Sequence, residues 1–207
     1  MERAAFVIYL VVVVVSPLLF GGVHTYAYTL AFTGIFIASL LLIKSNIEKD
    51  SGMYRFRWLR SSLNPLFLFF FGYLIVQMIP MPDFLLVHLS PEAKVIGDMS
   101  IPPVSAADSA TAKGHWYALA PYTYPVRMSL VRWIAYGFLF FGLVQTLNTR
   151  RRIEIATIVI IVLCCFETLY GIAQTYSGYG RIWWFKVAPR EVIGTYLNRN
   201  HFAGLME

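Results

Sequence analysis

Cysteine is almost absent from this chain: the two present, Cys164 and Cys165, are neighbours inside an apolar run. Adjacent helical positions point about 100° apart, so the pair does not close on itself, and neither a disulfide framework nor a cysteine metal site is expected. Histidine is scarce too. His24, His88 and His115 have no cysteine or carboxylate at ligand spacing and read as polar groups at a headgroup boundary. There is no glycine-rich phosphate loop, no G-x-S-x-G elbow and no H-E-x-x-H pair, which excludes the common chemistries of soluble enzymes. Charge is low at 14%, and acid is scarcer than base, with 11 Asp and Glu against 17 Lys and Arg for a net +6. In a soluble domain that balance would suggest nucleic acid. Here the basic residues sit in loops beside apolar runs, where they set orientation and meet anionic headgroups, so no nucleic acid partner is expected.

What remains is apolar: 58% of the residues are hydrophobic. They gather into five segments, residues 4–20, 26–43, 63–79, 130–147 and 153–176, each near the length that crosses about 30 Å of hydrocarbon. The expectation is an all-α polytopic transmembrane helical bundle of about five full spans, with the start of a sixth at about His201. Residues 1–207 read as a single transmembrane domain, with 80–128 as an extracytoplasmic loop. The first segment reads as a retained span, because no small-x-small cleavage site follows it. Asn64 and Pro65 shorten the third, although proline is tolerated in a first helical turn.

Orientation follows from the loops. Lys44, Lys49, Arg55, Arg57 and Arg60 crowd one short link and Arg150, Arg151 and Arg152 another, so both are expected in the cytoplasm together with the amino terminus. The stretches 80–128 and 177–200 then lie outside. Arg181, Lys186, Arg190 and Arg199 give the second more positive charge than that side favours. In the first, "PMPDFLLVHLSPEAKVIGDM" predicts two short interfacial helices, with Asp83 capping one and Ser90, Pro91 and Glu92 opening the other. "SIPPVSAADSATAKG" reads as a flexible linker. The aromatics of "HWYALAPYTYP", and Trp183, Trp184 and Phe185, are expected at the headgroup layer.

The strongest local signal is "GTYLNRNHFAGLME", Gly194 to Glu207. Gly194 permits a tight turn, Asn198 or Asn200 can cap the helix that follows, and Arg199 and His201 sit at its positive end, where a phosphate is favoured. The plain alternative is that Arg199 touches lipid headgroups and Asn200 merely caps. Arg132 either snorkels to headgroups or joins the same anion site, and Arg127 reads as an interfacial anchor. Glu167 falls within the fifth segment. It calls for a buried polar partner or a protonated state, as a structural hydrogen-bonding residue or as a proton relay.

The same closing segment resembles one in bacterial O-antigen ligases and polymerases, where glycine, an apolar pair and Asn-Arg-Asn-His-Phe-Ala-Gly precede a helix. "SPLLFGGVHTYAY", "QMIPMPDFLLVHLSP" and "YGIAQTYSG" resemble other parts of that family in matching order. The resemblance implies a multi-pass glycosyltransferase of the bacterial inner membrane. Such an enzyme moves a glycan from undecaprenyl diphosphate to lipid A core or to another glycan, in contact with membrane lipids and without metal or other cofactor. It places the pyrophosphate at Arg199, then Arg190, with His201 as a hydrogen-bond donor, and it names no catalytic base among these residues; Asn200 and Arg132 are added as further candidate contacts from the reading of the residues above. It also implies a further C-terminal half or a partner chain, without which the chain is expected to be inactive. A transporter or flippase subunit, with Arg132 and Glu167 lining a path, and a non-catalytic module of a polysaccharide-export complex are the rival readings; the absence of internal symmetry counts against the transporter.

Overall fold

The computed structural model describes residues 1–50, 53–56, 63–99, 116–178, 180–186 and 193–206. The fold is all-α in class, with three small two-stranded antiparallel pairs among the described residues. Its elements are α1 (Glu2–Leu18), a 3-10 turn (Phe20–Gly22), α2 (Thr25–Ser45), β1 (Ile47–Asp50), β2 (Met53–Phe56), α3 (Asn64–Val76), β3 (Pro80–Pro82), α4 (Asp83–Leu89), α5 (Pro91–Met99), β4 (Trp116–Ala118), α6 (Thr123–Thr146), α7 (Arg150–Tyr176), β5 (Arg181–Ile182), β6 (Phe185–Lys186) and α8 (Arg199–Met206). Among the described residues three helices, α2, α6 and α7, are long and apolar enough to cross a bilayer. Helix α1 has 17 residues and α3 has 13. At 1.5 Å per residue they reach about 26 Å and about 20 Å, short of the hydrocarbon thickness.

The chain divides into two compact units, one of Met1–Leu59 with Phe138–Glu207, the other Arg60–Gly137. In the first, α1 lies against α2 through small residues. A Cβ on Gly34 would stand 2.6 Å from Val12 Cγ2, and Ala5, Ala27 and Ala38 are buried. Small side chains are what let helix backbones approach in lipid, where the hydrophobic effect gives no drive. Tyr9 is fully buried in this seam, next to Gly142 of α6. Ser39 Oγ donates to the Ile35 carbonyl at 2.7 Å, which leaves Tyr9 Oη to donate to Ser39 Oγ at 2.9 Å.

One end of this unit is tied by charge. Arg152 Nη1 pairs with Glu2 and donates to the Thr146 carbonyl at 2.8 Å and to Asn148 Oδ1 at 3.0 Å, while Asn148 Nδ2 donates to Glu2 at 2.8 Å. The Arg152 hydrogen bond holds the Glu2 carboxyl below its ordinary range. The amino terminus and the Arg150–Arg152 turn therefore share one end, as the loop charges require, and α7 carries the chain to the other.

In the second unit β3 and β4 close the loop between α3 and α6, pairing Pro80 with Ala118 and Pro82 with Trp116. The two short helices are present and Pro91 opens α5, but Asp83 does not cap α4. Pro82 holds the cap position without a side-chain bond, and Asp83, the first helical residue, pairs with Lys94 at 3.8 Å. The linker expected over residues 100–114, together with His115, lies outside the described residues, as do Arg57 and Arg60.

Candidate functional site

At the end of the first unit away from Arg152, α1 terminates beneath a loop that turns through left-handed backbone at Phe20 (φ 58), Gly21 (φ 65) and Gly22 (φ 70). A helix end leaves its last carbonyls unpaired. Two are met by residues far along the chain: Thr195 Oγ1 donates to the Pro17 carbonyl at 2.9 Å, and Trp183 Nε1 donates to the Leu18 carbonyl at 2.9 Å. Trp183 is fixed in turn, its backbone N–H donating to the Tyr170 hydroxyl at 2.8 Å. Ile182, Ile193 and Phe20 form a small buried core beside it.

Glu167 has the buried polar partner expected of it. Thr195 N–H donates to Glu167 Oε2 at 2.9 Å, and Thr195 Oγ1 lies 2.5 Å from Glu167 Oε1, with both residues fully buried. The threonine hydroxyl has one hydrogen, yet two acceptors, Pro17 O and Glu167 Oε1, lie within bonding distance. The hydroxyl hydrogen is shared between them, while the Thr195 N–H serves Glu167 Oε2. Gly194 makes this approach possible. Its φ is +56, and a Cβ there would stand 2.6 Å from both Glu167 Oε2 and the Phe202 ring. Only glycine fits such a position without strain.

Residues 193–196 are consequently all buried. Tyr196 packs its ring on Gly21, where a Cβ would come within 2.5 Å of Cδ1, and meets Phe202 edge-on at 6.3 Å. Burial first, then the nearby Glu167 and Cys164, push its phenol up to about 12. From this anchor the chain enters α8, capped by Asn198: Asn200 N–H donates to Asn198 Oδ1 at 2.9 Å. The His201 and Phe202 N–H groups donate to the Asn198 carbonyl at 3.1 and 3.2 Å. These donors are spent within the turn, so what α8 offers an anion here is its dipole and its side chains. Cys164 Sγ, donating to the Leu205 carbonyl at 3.7 Å, joins α8 to α7.

A cleft of about 420 Å³ opens between the two turns, lined by Gly21, Val23, Tyr196, Asn200, His201 and Gly204 among others. Asn200 and His201 are exposed on it. Of the residues singled out from sequence, the structure thus brings Asn200 and His201 together, with Arg199 as the first residue of α8. Arg190 lies outside the described residues, and Arg132 belongs to α6 in the second unit. Sequence reasoning missed the contribution of the first turn. Its signal was the Gly21–Gly22 pair, which marks a left-handed turn able to admit a ring at close range.

The three apolar helices define the class as an all-α protein suited to embedding in a membrane. No family model, curated protein or solved structure matches the chain.

Proposed function

We propose that these residues form the part of an O-antigen ligase-like membrane glycosyltransferase that holds a polyprenyl-diphosphate-linked glycan at the outer face of the bacterial inner membrane. In this reading α1 and α3 complete a set of five spans, α8 begins a sixth, and the amino terminus is cytoplasmic. The observation that carries it is the anchoring of "GTYLNRNHFAGLME": the Gly194–Tyr196 segment is pinned from below by Glu167 and Pro17 and presents Asn200 and His201 on an open cleft.

The chemistry follows from charge. When the acceptor hydroxyl attacks the anomeric carbon, the sugar–phosphate C–O bond breaks and the electron pair stays on the lipid diphosphate. Cationic and N–H donors that grip the diphosphate stabilise that developing charge. Arg199 supplies the fixed charge, with Arg190 as a further cationic contact, while His201 and Asn200 supply hydrogen bonds. The base that takes the acceptor's proton is not assigned to any of them. Glu167, with both oxygens facing Thr195, serves as a structural pin in this scheme and relays no proton.

Photolabelling with a diazirine-bearing polyprenyl diphosphate tests the assignment. The label should concentrate on the peptide containing residues 196–205, compete with unlabelled undecaprenyl diphosphate, and fall about tenfold in Arg199→Ala, the loss expected for one charge-assisted phosphate contact. Labelling spread evenly over the apolar helices, or unchanged in that variant, would refute it.

A further inference from the structure

A second cavity lies wholly within the other unit, enclosing about 660 Å³ between α5, the β3–β4 pair and the start of α6. Its walls are apolar and aromatic: Met78 follows α3, Ile96 and Met99 come from α5, and Trp116 and Tyr122 from the strand and turn before α6. Most of these groups are open to the outside, Met99 at 78%, Tyr122 at 73% and Trp116 at 64% exposure, so the cavity is an accessible surface and no sealed core. Tyr117 shapes its floor. A Cβ on Gly97 would stand 2.7 Å from that ring, and the Tyr117 hydroxyl donates to Asp98 at 3.0 Å.

One of the described lining residues is charged. Arg127, exposed in the first turns of α6, makes no ion pair or hydrogen bond to a described residue. Two carboxylates of the adjoining helices are engaged elsewhere, Asp98 with Tyr117 and Asp83 with Lys94. A wall of methionine, isoleucine and aromatic rings ending at a guanidinium unopposed among the described residues fits a molecule with an apolar body and an anionic head. Arginine suits a phosphate head in particular, because its planar fork can donate two parallel hydrogen bonds. The position agrees, since α3 ends and α6 begins beside the cavity, and exposed tryptophan and tyrosine are the side chains that favour headgroup depth.

We propose that this cavity binds one anionic phospholipid, its phosphate on Arg127 and the upper part of a chain against Met78, Ile96 and Met99. The site is separate from the cleft at α8 and does not depend on the glycosyltransferase reading.

The five tryptophans permit a direct test. The full chain is labelled with 5-fluorotryptophan in maltoside micelles, and the Trp116 and Trp133 fluorine signals are assigned from Trp116→Phe and Trp133→Phe. Trp133, edge-on to Phe70 at 5.1 Å, reports that the helices stay packed. Titration with phosphatidylglycerol should shift Trp116 saturably and leave Trp133 in place. Binding should weaken about fivefold in Arg127→Ala, the loss expected for one basic residue facing an anionic lipid. Arg127→Lys should retain part of it, and Met99→Ser should weaken it with the charge intact. Equal response to phosphatidylcholine, an unchanged titration in Arg127→Ala, or a static Trp116 would each overturn the proposal. Inorganic phosphate alone is expected to do nothing, and a shift as large as that from the lipid would make this a free-phosphate site instead.

Discussion

At the residue scale, Gly194, Thr195 and Glu167 act as one unit. Gly194→Ala would place a methyl group against Glu167 and Phe202 on left-handed backbone, and a loss of about 2 to 3 kcal/mol is expected. Glutamine at position 167 can accept from the Thr195 N–H and donate to its hydroxyl, which then remains free to donate to Pro17. Glu167→Gln should therefore stay within about 1 kcal/mol of the parent, while Glu167→Ala strands the buried Thr195 N–H, opens a cavity and costs about 2 to 3 kcal/mol. Thermal midpoints in detergent measure both. If glutamine proves as damaging as alanine, hydrogen bonding to Thr195 does not account for the role of Glu167. The sequence showed that Glu167 needs a partner and that Gly194 marks a turn. It did not show that the two answer each other, because 26 intervening positions hide the contact that folding makes.

At the element scale, apolar length located the helices better than it bounded them. The segment expected from Leu130 begins as a helix at Thr123, since Pro125 is tolerated in a first turn and "TYPVRMS" is helical without being apolar. The closing of the outer loop by β3 and β4 was illegible, because Pro80 and Pro82 argue against a strand except at an unshared edge, which a two-stranded pair supplies. The Arg150–Arg152 turn was read for its charge alone, yet Arg152 also fastens α1. Because the folded Glu2 carboxyl lies below its ordinary value of 4.5, its contribution is complete above that value and is lost as pH falls through the lowered one. Arg152→Ala should thus cost about 1 kcal/mol near neutrality, the scale of a partly exposed ion pair. The stability curves of parent and variant should converge as pH falls through the lowered Glu2 value, as the linkage requires. A gap that stays constant across pH would assign the loss to the Thr146 and Asn148 contacts instead.

At the scale of the molecule, the first unit has two unlike ends. One gathers Glu2, Asn148 and Arg152. The other gathers the turn at Gly21, the Trp183 hairpin and the helix start at Asn198 to His201. Loop charges predicted that the first end faces the cytoplasm, and the shared position of Glu2 and Arg152 agrees with a bundle built that way. What no reading of single segments could supply was the meeting of "FGGV" with "TYLNRNH", two motifs over 170 residues apart that line one cleft. Each was visible as a turn, but a cleft belongs to neither.

The proposed function requires that cleft to face away from the cytoplasm. Cysteine labelling of intact cells with a membrane-impermeant maleimide, in a Cys164→Ala and Cys165→Ala background, tests this most directly. His201→Cys should label before the membrane is opened and Arg151→Cys only afterwards. Labelling in the reverse order would place the α8 start at the cytoplasmic face and remove the basis for an outward-facing diphosphate site.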